Sequence, residues 1–332
     1  MRPTRTLTVL VVLLLVAAPV LAHVPNFPVD NTSPEQAVEV PDAVKSWSFY
    51  DRLGDGGAKY YRVTLSPGER LQVGTFTPRG GEFTPSLVVM SPSLEGTGDV
   101  PAGVTVPEGM GAVVVEGERP ASASYEPFAP SANYHTAEFS RQVETETTYL
   151  VAVYEPANRS GPAGVALGYS EQFSPVEYAM VPFDLVRTHL WAGQHPLVVL
   201  GPMLLALVAG ASLTRNRWRE DWGSVPARLL LAGGGLFVLG SGLNTALQMG
   251  FALLRTGPTA GAVVTGLFVV VPVLCGGWAL GLALRGDLEL TAGRRAGIAA
   301  AGGLALLTWA GFIIGPAALL VVAVAPGRVL KT

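Results

Sequence analysis

The chain contains a single cysteine, Cys275, and this scarcity excludes several classes of protein. An intramolecular disulfide needs two cysteines, so the chain cannot form one. A cysteine–histidine zinc cluster and a CxxCH haem attachment each need a motif that is absent from the sequence. The HExxH, GxSxG, P-loop and EF-hand motifs are also missing, so the hydrolase, nucleotide-binding and calcium-binding classes that carry them have no support. We therefore expect a protein that is not an enzyme and has no cofactor, with copper as the one alternative developed below.

Charged residues are scarce and unevenly distributed. They make up 14% of the chain, against roughly 25% in soluble domains. Residues 23–186 hold 21 acidic and 9 basic residues, a net charge of −12, whereas residues 187–332 hold 4 acidic and 11 basic residues, a net charge of +7. Because nucleic-acid binding requires a positive surface, the acidic half argues against a nucleic-acid partner.

The last part of the chain is instead rich in long apolar runs. A helix needs ~20 apolar residues to cross the core of a bilayer. We predict four transmembrane helices, and the last run could also break at Gly315–Pro316 and turn back. The four predicted helices are residues 188–213, 227–254, 258–284 and 296–326. The fold class is therefore an all-β domain followed by an α-helical transmembrane bundle, with membrane lipid as one partner.

The arginines of the connecting loops predict the orientation of these helices. Residues 214–228 contain four arginines and residues 285–295 contain three, against Arg255, Arg328 and Lys331 elsewhere. The positive-inside rule places the two arginine-rich loops in the cytoplasm. We expect a multi-pass protein of the plasma membrane with its N-terminal domain outside the cytoplasm. Four crossings would place the C-terminus outside as well.

The N-terminus has the pattern of a signal peptide. Arg2 and Arg5 precede the apolar run Leu7–Val16, and Ala22 provides a small residue at a cleavage position. Residues 1–22 are therefore predicted to be removed, which would leave His23 as the first residue of the mature protein. An uncleaved anchor is the alternative.

Residues 23–180 are predicted to form a β-sandwich. Short runs of β-branched and aromatic residues are separated by glycine and proline, which is typical of an antiparallel sandwich. Residues 31–37 (NTSPEQA) and 59–71 (KYYRVTLSPGERL), together with residues 148–154 (TYLVAVY) and 165–169 (VALGY), resemble the first and last parts of a pre-peptidase C-terminal (PPC) domain of bacteria and archaea.

That resemblance covers residues 31–170 and implies a jelly-roll-like sandwich. PPC domains accompany secreted enzymes and surface proteins, where they act as accessory or binding modules. The chain departs from the pattern in the proline- and glycine-rich segment Ser91–Ala132, and it carries no attached protease. The resemblance implies a binding module and supplies no catalytic residues.

Two histidines give the only candidate metal site. An N-terminal histidine can chelate copper through its α-amine and its ring, so mature His23 is a candidate ligand, and His135 could complete the site from a strand. The alternative is that His23 is a frayed terminus and His135 a surface or packed residue. His189 and His195 are expected at the membrane interface. Asn31 and Asn158 begin glycosylation sequons, both in the exported part.

The predicted helices carry one polar face. Ser241, Asn244, Thr245 and Gln248 recur at helical spacing, which predicts hydrogen bonds between helices, with a substrate path as the alternative. Small residues at a spacing of four predict close helix packing or an oligomer interface. These small residues are Gly242, Ala246 and Gly250, then Gly277 and Gly281, and Gly311 and Gly315. The uncharged cores of the second, third and fourth helices, residues 229–254, 258–284 and 296–325, contain no aspartate, glutamate, lysine, arginine or histidine, which argues against a transporter or pump.

Three functional hypotheses follow. The first is a surface protein with a non-catalytic module that binds an envelope polymer, a glycan or a protein, alone or as a subunit of a larger envelope complex. The second is a copper-binding protein that uses His23. The third is an envelope enzyme without a recognisable motif.

Overall fold

The computed structural model describes residues 23–96, 98–217 and 225–330 of the chain. Residues 23–126 and 131–177 form a β unit. Residues 178–330, together with the short segment 127–130, form a helical unit. The predicted signal peptide, residues 1–22, lies outside the described residues.

The β unit contains two sheets. The first has the strand order β1-β3-β11-β5-β9-β8, and the second has the order β2-β4-β10-β6-β7. A short 3-10 helix covers Pro34–Gln36. The strands are β1 (Val24–Asn26), β2 (Val38–Glu39), β3 (Trp47–Leu53), β4 (Lys59–Leu65), β5 (Arg70–Thr77), β6 (Ser86–Ser91), β7 (Gly111–Val115), β8 (Ser124–Glu126), β9 (Ser131–Gln142), β10 (Thr147–Tyr154) and β11 (Gly161–Leu167).

The two sheets share a hydrophobic core. Inward side chains alternate along each strand, as the period of two in a strand requires. Phe49 and Val165 from the first sheet, and Val63, Val89 and Val151 from the second, are completely buried in one cluster. The sequence-based prediction of an all-β, sandwich-like domain is therefore confirmed, while its jelly-roll assignment stays a prediction.

The segment Ser91–Ala132, which departs from the PPC pattern, has a structural role in this unit. A second cluster joins Tyr60, Met90 and Leu150 of the five-stranded sheet to Val104 and Ala112 of that segment. The Tyr60 hydroxyl accepts a hydrogen bond of 2.7 Å from the backbone N–H of Thr105. The segment thus covers the second face of the sheet, which explains why all six residues of β6 are buried.

The helical unit contains three helices that are long and apolar enough to cross a membrane. They span Pro196–Asn216, Val225–Thr256 and Gly261–Ala283. The helices that follow the last strand are α1 (Pro175–Trp191), α2 (Pro196–Arg217), α3 (Val225–Thr256), α4 (Gly261–Ala283), α5 (Ala292–Leu307), α6 (Ile314–Val324) and α7 (Gly327–Leu330). The sequence-based prediction of apolar membrane helices is confirmed for these three spans.

The fourth predicted membrane helix is not confirmed as a continuous span. Residues 308–313 interrupt it, earlier than the predicted break at Gly315–Pro316, and α5 and α6 fold back on each other. Arg295, at the start of α5, donates to the carbonyls of Val322 (3.1 Å) and Ala325 (2.6 Å), at the end of α6. At 1.5 Å per residue the two helices are about 24 and 17 Å long, and neither crosses a core of ~30 Å. We call residues 292–324 the α5–α6 hairpin.

Glycine allows α3 and α4 to approach at one crossing point. A Cβ atom on Gly235 would lie 2.8 Å from the carbonyl oxygen of Gly276, and one on Gly276 would lie 2.5 Å from that of Gly235. Among the predicted packing glycines, Gly242, Gly311 and Gly315 do touch other segments, but Gly250, Gly277 and Gly281 have no neighbour within 4 Å of a Cβ. The contact between α3 and α4 therefore uses Gly276 rather than the predicted Gly277. An oligomer interface at the open positions stays a prediction.

Candidate functional site

His23 and His135 both lie on the six-stranded sheet of the β unit. His23 directly precedes β1, and its Nδ1 lies 2.5 Å from the hydroxyl oxygen of Ser46. His135 lies on β9, is exposed, and has its ring centroid 5.9 Å from that of Phe76. Burial lowers the pKa of His23 to about 4, and repulsion by His135 adds to this lowering. The His23 ring is therefore neutral at pH 7, the form that can ligate a metal.

This arrangement provides few ligands for a metal ion. In the part of the chain that the structure describes, no group of three or more histidine, cysteine or acidic side chains could hold one. The Nδ1 atom of His23, which a chelate with the α-amine would use, is engaged with Ser46. Copper binding by His23 and His135 would require release of that contact and a free α-amine, and it stays a prediction.

The two predicted glycosylation positions differ in access. Asn31 is completely buried, and its Nδ2, the atom that a glycan would modify, donates to Asp51 at 2.9 Å. The folded structure therefore disfavours modification at Asn31. Asn158 is exposed, in a turn with a positive φ of 57°. Glycosylation at Asn158 stays a prediction.

Asn31 belongs to a buried polar network that sequence reasoning did not find. The Oδ2 of Asp51 accepts from Asn31 and, at 3.0 Å, from the Tyr61 hydroxyl, and its Oδ1 lies 3.3 Å from the Lys59 ammonium. Burial raises the pKa of Tyr61 well above its ordinary value, and the Asp51 charge adds to this effect. One signal was available in the sequence, because Asp51 alternates with Phe49 and Leu53 on the inward face of β3.

The predicted polar face of α3 forms hydrogen bonds with three other segments. The Ser241 hydroxyl accepts from the backbone N–H of Gly311 (2.9 Å), and the Asn244 Oδ1 accepts from that of Met203 (3.0 Å). Gln248 and Gln194 exchange two amide hydrogen bonds of 2.8 Å. Thr245 differs from these, because its hydroxyl donates to the Ser241 carbonyl of its own helix. Three of the four residues thus make the bonds between segments that the interhelical interpretation requires.

Comparison with known proteins adds no functional assignment. No protein-family model matches the chain, and no curated protein matches it. The resemblance to PPC domains therefore stays a prediction.

Proposed function

We propose that this protein is a membrane-anchored surface protein whose β unit is a non-catalytic binding or assembly module. The observation that carries the proposal is the combination of two parts in one chain. The β unit has its own two-sheet core, and the helical unit provides three helices able to cross a membrane. The acidic composition of the β unit and the missing catalytic motifs favour binding over catalysis.

The orientation follows from three spans and one hairpin. The α5–α6 hairpin returns the chain to the side from which it started, so the C-terminus lies with the two arginine-rich loops. Nine basic residues then lie on one side, against Arg187 and Arg255 on the other, which strengthens the positive-inside argument for a cytoplasmic C-terminus. The nine are Arg215, Arg217, Arg219, Arg228, Arg285, Arg294, Arg295, Arg328 and Lys331. The β unit lies outside the cytoplasm.

Reporter fusions test this orientation. We expect fusions after Leu288 and at the C-terminus to be fluorescent with green fluorescent protein, and a fusion after Thr256 to be active with alkaline phosphatase. The C-terminal fusion separates the hairpin from a fourth span, since a fourth span would export it. Phosphatase activity at the C-terminus would contradict the proposed three-span topology.

Partner capture tests the binding role of the β unit. We expect the full chain, crosslinked in its native membrane and purified, to retain a glycan, polymer or protein that residues 178–332 alone do not retain. The shorter chain keeps the helical unit and is the matched control for membrane material that adheres to the helices. Identical captured material from both chains would reject a binding role for the β unit.

A further inference from the structure

The buried polar network of the β unit brings an amine, an amide and a carboxylate into mutual contact. The Nζ of Lys59 lies 3.1 Å from the Oδ1 of Asn31 and 3.3 Å from the Oδ1 of Asp51. The Oδ2 of Asp51 accepts a hydrogen bond of 2.9 Å from the Nδ2 of Asn31. One carboxylate therefore contacts both the amine of the lysine and the nitrogen of the amide, and the amine also contacts the carbonyl of that amide.

Strands of both sheets fix the positions of these three groups. Asp51 belongs to β3 of the six-stranded sheet, and Lys59 begins β4 of the five-stranded sheet. The backbone carbonyl of Asn31 accepts from the backbone N–H of Tyr60 at 2.9 Å, and the Tyr61 hydroxyl donates to the Asp51 carboxylate at 3.0 Å. An amide is a weak electrophile, but well-oriented groups react as if present at ~10⁵–10⁸ M.

The three groups are also shielded from water. Asn31 is completely buried, and the side chains of Asp51 and Lys59 are 6% and 16% exposed. Burial of two charges is unfavourable, so proton transfer from the ammonium to the carboxylate, which leaves both groups neutral, is less costly here than in water. A neutral amine is a nucleophile, whereas an ammonium is not. The remaining exposure of Lys59 gives a small product a path to solvent.

We propose that Lys59 and Asn31 form an intramolecular isopeptide bond, with Asp51 as the catalytic residue. Asp51 takes a proton from the Lys59 ammonium, and the lone pair of Nζ attacks the Cγ of Asn31. The bond between Cγ and Nδ2 then breaks as Asp51 returns a proton to Nδ2. Overall, one ammonium and one primary amide give a secondary amide and NH₄⁺, so atoms and electrons balance without an oxidant or another reactant.

The bond joins the segment before the 3-10 helix to the start of β4. It closes a loop between Asn31 and Lys59, and such closure stabilises a fold mainly by constraining the unfolded chain. A chain whose single cysteine is Cys275 cannot form an intramolecular disulfide for this purpose. The bond lies within the β unit and does not depend on the binding role proposed for that unit.

The intact mass of the full chain tests the bond. The chain is purified in detergent, its first residue is determined, and its mass is followed during prolonged incubation, because the ion pair persists until the bond forms. We expect a final mass about 17 Da below the value calculated from the sequence, the mass of one ammonia. Asp51→Asn should form the bond at least about 100-fold more slowly, the lower end of what general acid–base catalysis contributes.

Two lysine variants separate this bond from other losses of ammonia. Lys59→Arg removes the nucleophile and should keep the full mass. Lys45→Arg is the matched control and should lose ammonia as the wild type does. Lys45 also pairs with a carboxylate, that of Glu177 at 2.6 Å, but it has no role in the proposed reaction.

Tryptic peptides locate the bond. Trypsin cleaves after a free lysine, so the unlinked chain gives residues 53–59 and 60–62 as separate peptides. The isopeptide bond blocks cleavage at Lys59 and joins residues 53–62 to the peptide that ends at position 45. We expect this branched peptide from the wild type and from Lys45→Arg.

Three results would overturn the proposal. The first is an unchanged mass of the folded wild-type chain after prolonged incubation. The second is a loss of ammonia confined to an unbranched peptide, which indicates a succinimide instead of a cross-link. The third is formation of the branched peptide at the wild-type rate in folded Asp51→Asn protein, which would remove the catalytic role of Asp51.

Discussion

Replacing Asp51 with alanine is expected to lower the free energy of unfolding of the β unit by about 3–5 kcal/mol, the range for removing one partner of a buried ion pair. The carboxylate is only 6% exposed and the Lys59 side chain 16%. Its removal leaves the Lys59 ammonium without its counter-charge and the Tyr61 hydroxyl without its acceptor. The Asn31 amide keeps only the 3.5 Å hydrogen bond to the Tyr60 carbonyl.

Urea unfolding of residues 23–177, followed by circular dichroism, measures this change. The fragment contains both sheets and their core. Glu39→Ala is the matched control, because Glu39 also pairs with a basic residue of β4, Arg62, but at the surface, with side chains 66% and 34% exposed. Exposed pairs contribute ~0–1 kcal/mol, so this variant should unfold almost as the wild type does. Equal losses in the two variants would show that burial of Asp51 is not the cause.

Replacing Gly276 with leucine is expected to disrupt the helical unit, whereas the same change at the adjacent Gly277 is expected to be tolerated. A side chain at Gly276 would meet backbone atoms of α3, with 2.5 Å between its Cβ and both the Gly235 carbonyl oxygen and the Leu239 nitrogen. Backbone cannot rotate aside as a side chain can. We expect a loss at or above the upper end of the 1–3 kcal/mol typical of overpacking.

The thermal midpoint of the full chain in detergent measures this second effect. For a unit of about 150 residues, 3 kcal/mol corresponds to a decrease of roughly 6–12 °C. Gly277 has no neighbour within 4 Å of a Cβ, so Gly277→Leu should leave the midpoint near that of the wild type. A large decrease for Gly277→Leu with none for Gly276→Leu would show that the contact with α3 lies at Gly277 and not at Gly276.

The architecture could be predicted from the sequence where one physical signal dominates. Alternating apolar residues predicted the strands, and runs of ~20 apolar residues predicted three spans. The prediction of a fourth span was not confirmed, because apolarity measures how favourably a residue transfers into lipid. It carries no information on where the chain reverses its direction. Its turn uses positive φ at Trp309 and Phe312, which nothing in their chemistry favours.

The candidate sites could be predicted only in part, because burial depends on the tertiary fold. The polar face of α3 followed from helical spacing, but its partners Met203 and Gly311 lie 41 and 70 residues away in sequence. The structure buries His189, which its place in the sequence did not predict, and its position at the membrane interface stays a prediction. Gly276 and Gly277 are adjacent glycines of one helix, and only their contacts distinguish them.

The covered outer face of the five-stranded sheet has a consequence for how this domain can change over evolution. All six residues of β6, Ser86–Ser91, are fully buried, whereas β9 contains both buried and exposed positions. A strand that is enclosed on both faces has no position where a new side chain would contact only solvent. The substitutions tolerated there are therefore confined to residues of similar volume. Substitutions should therefore accumulate along β9 while β6 remains nearly fixed, and recruitment of a new ligand would begin on the six-stranded sheet.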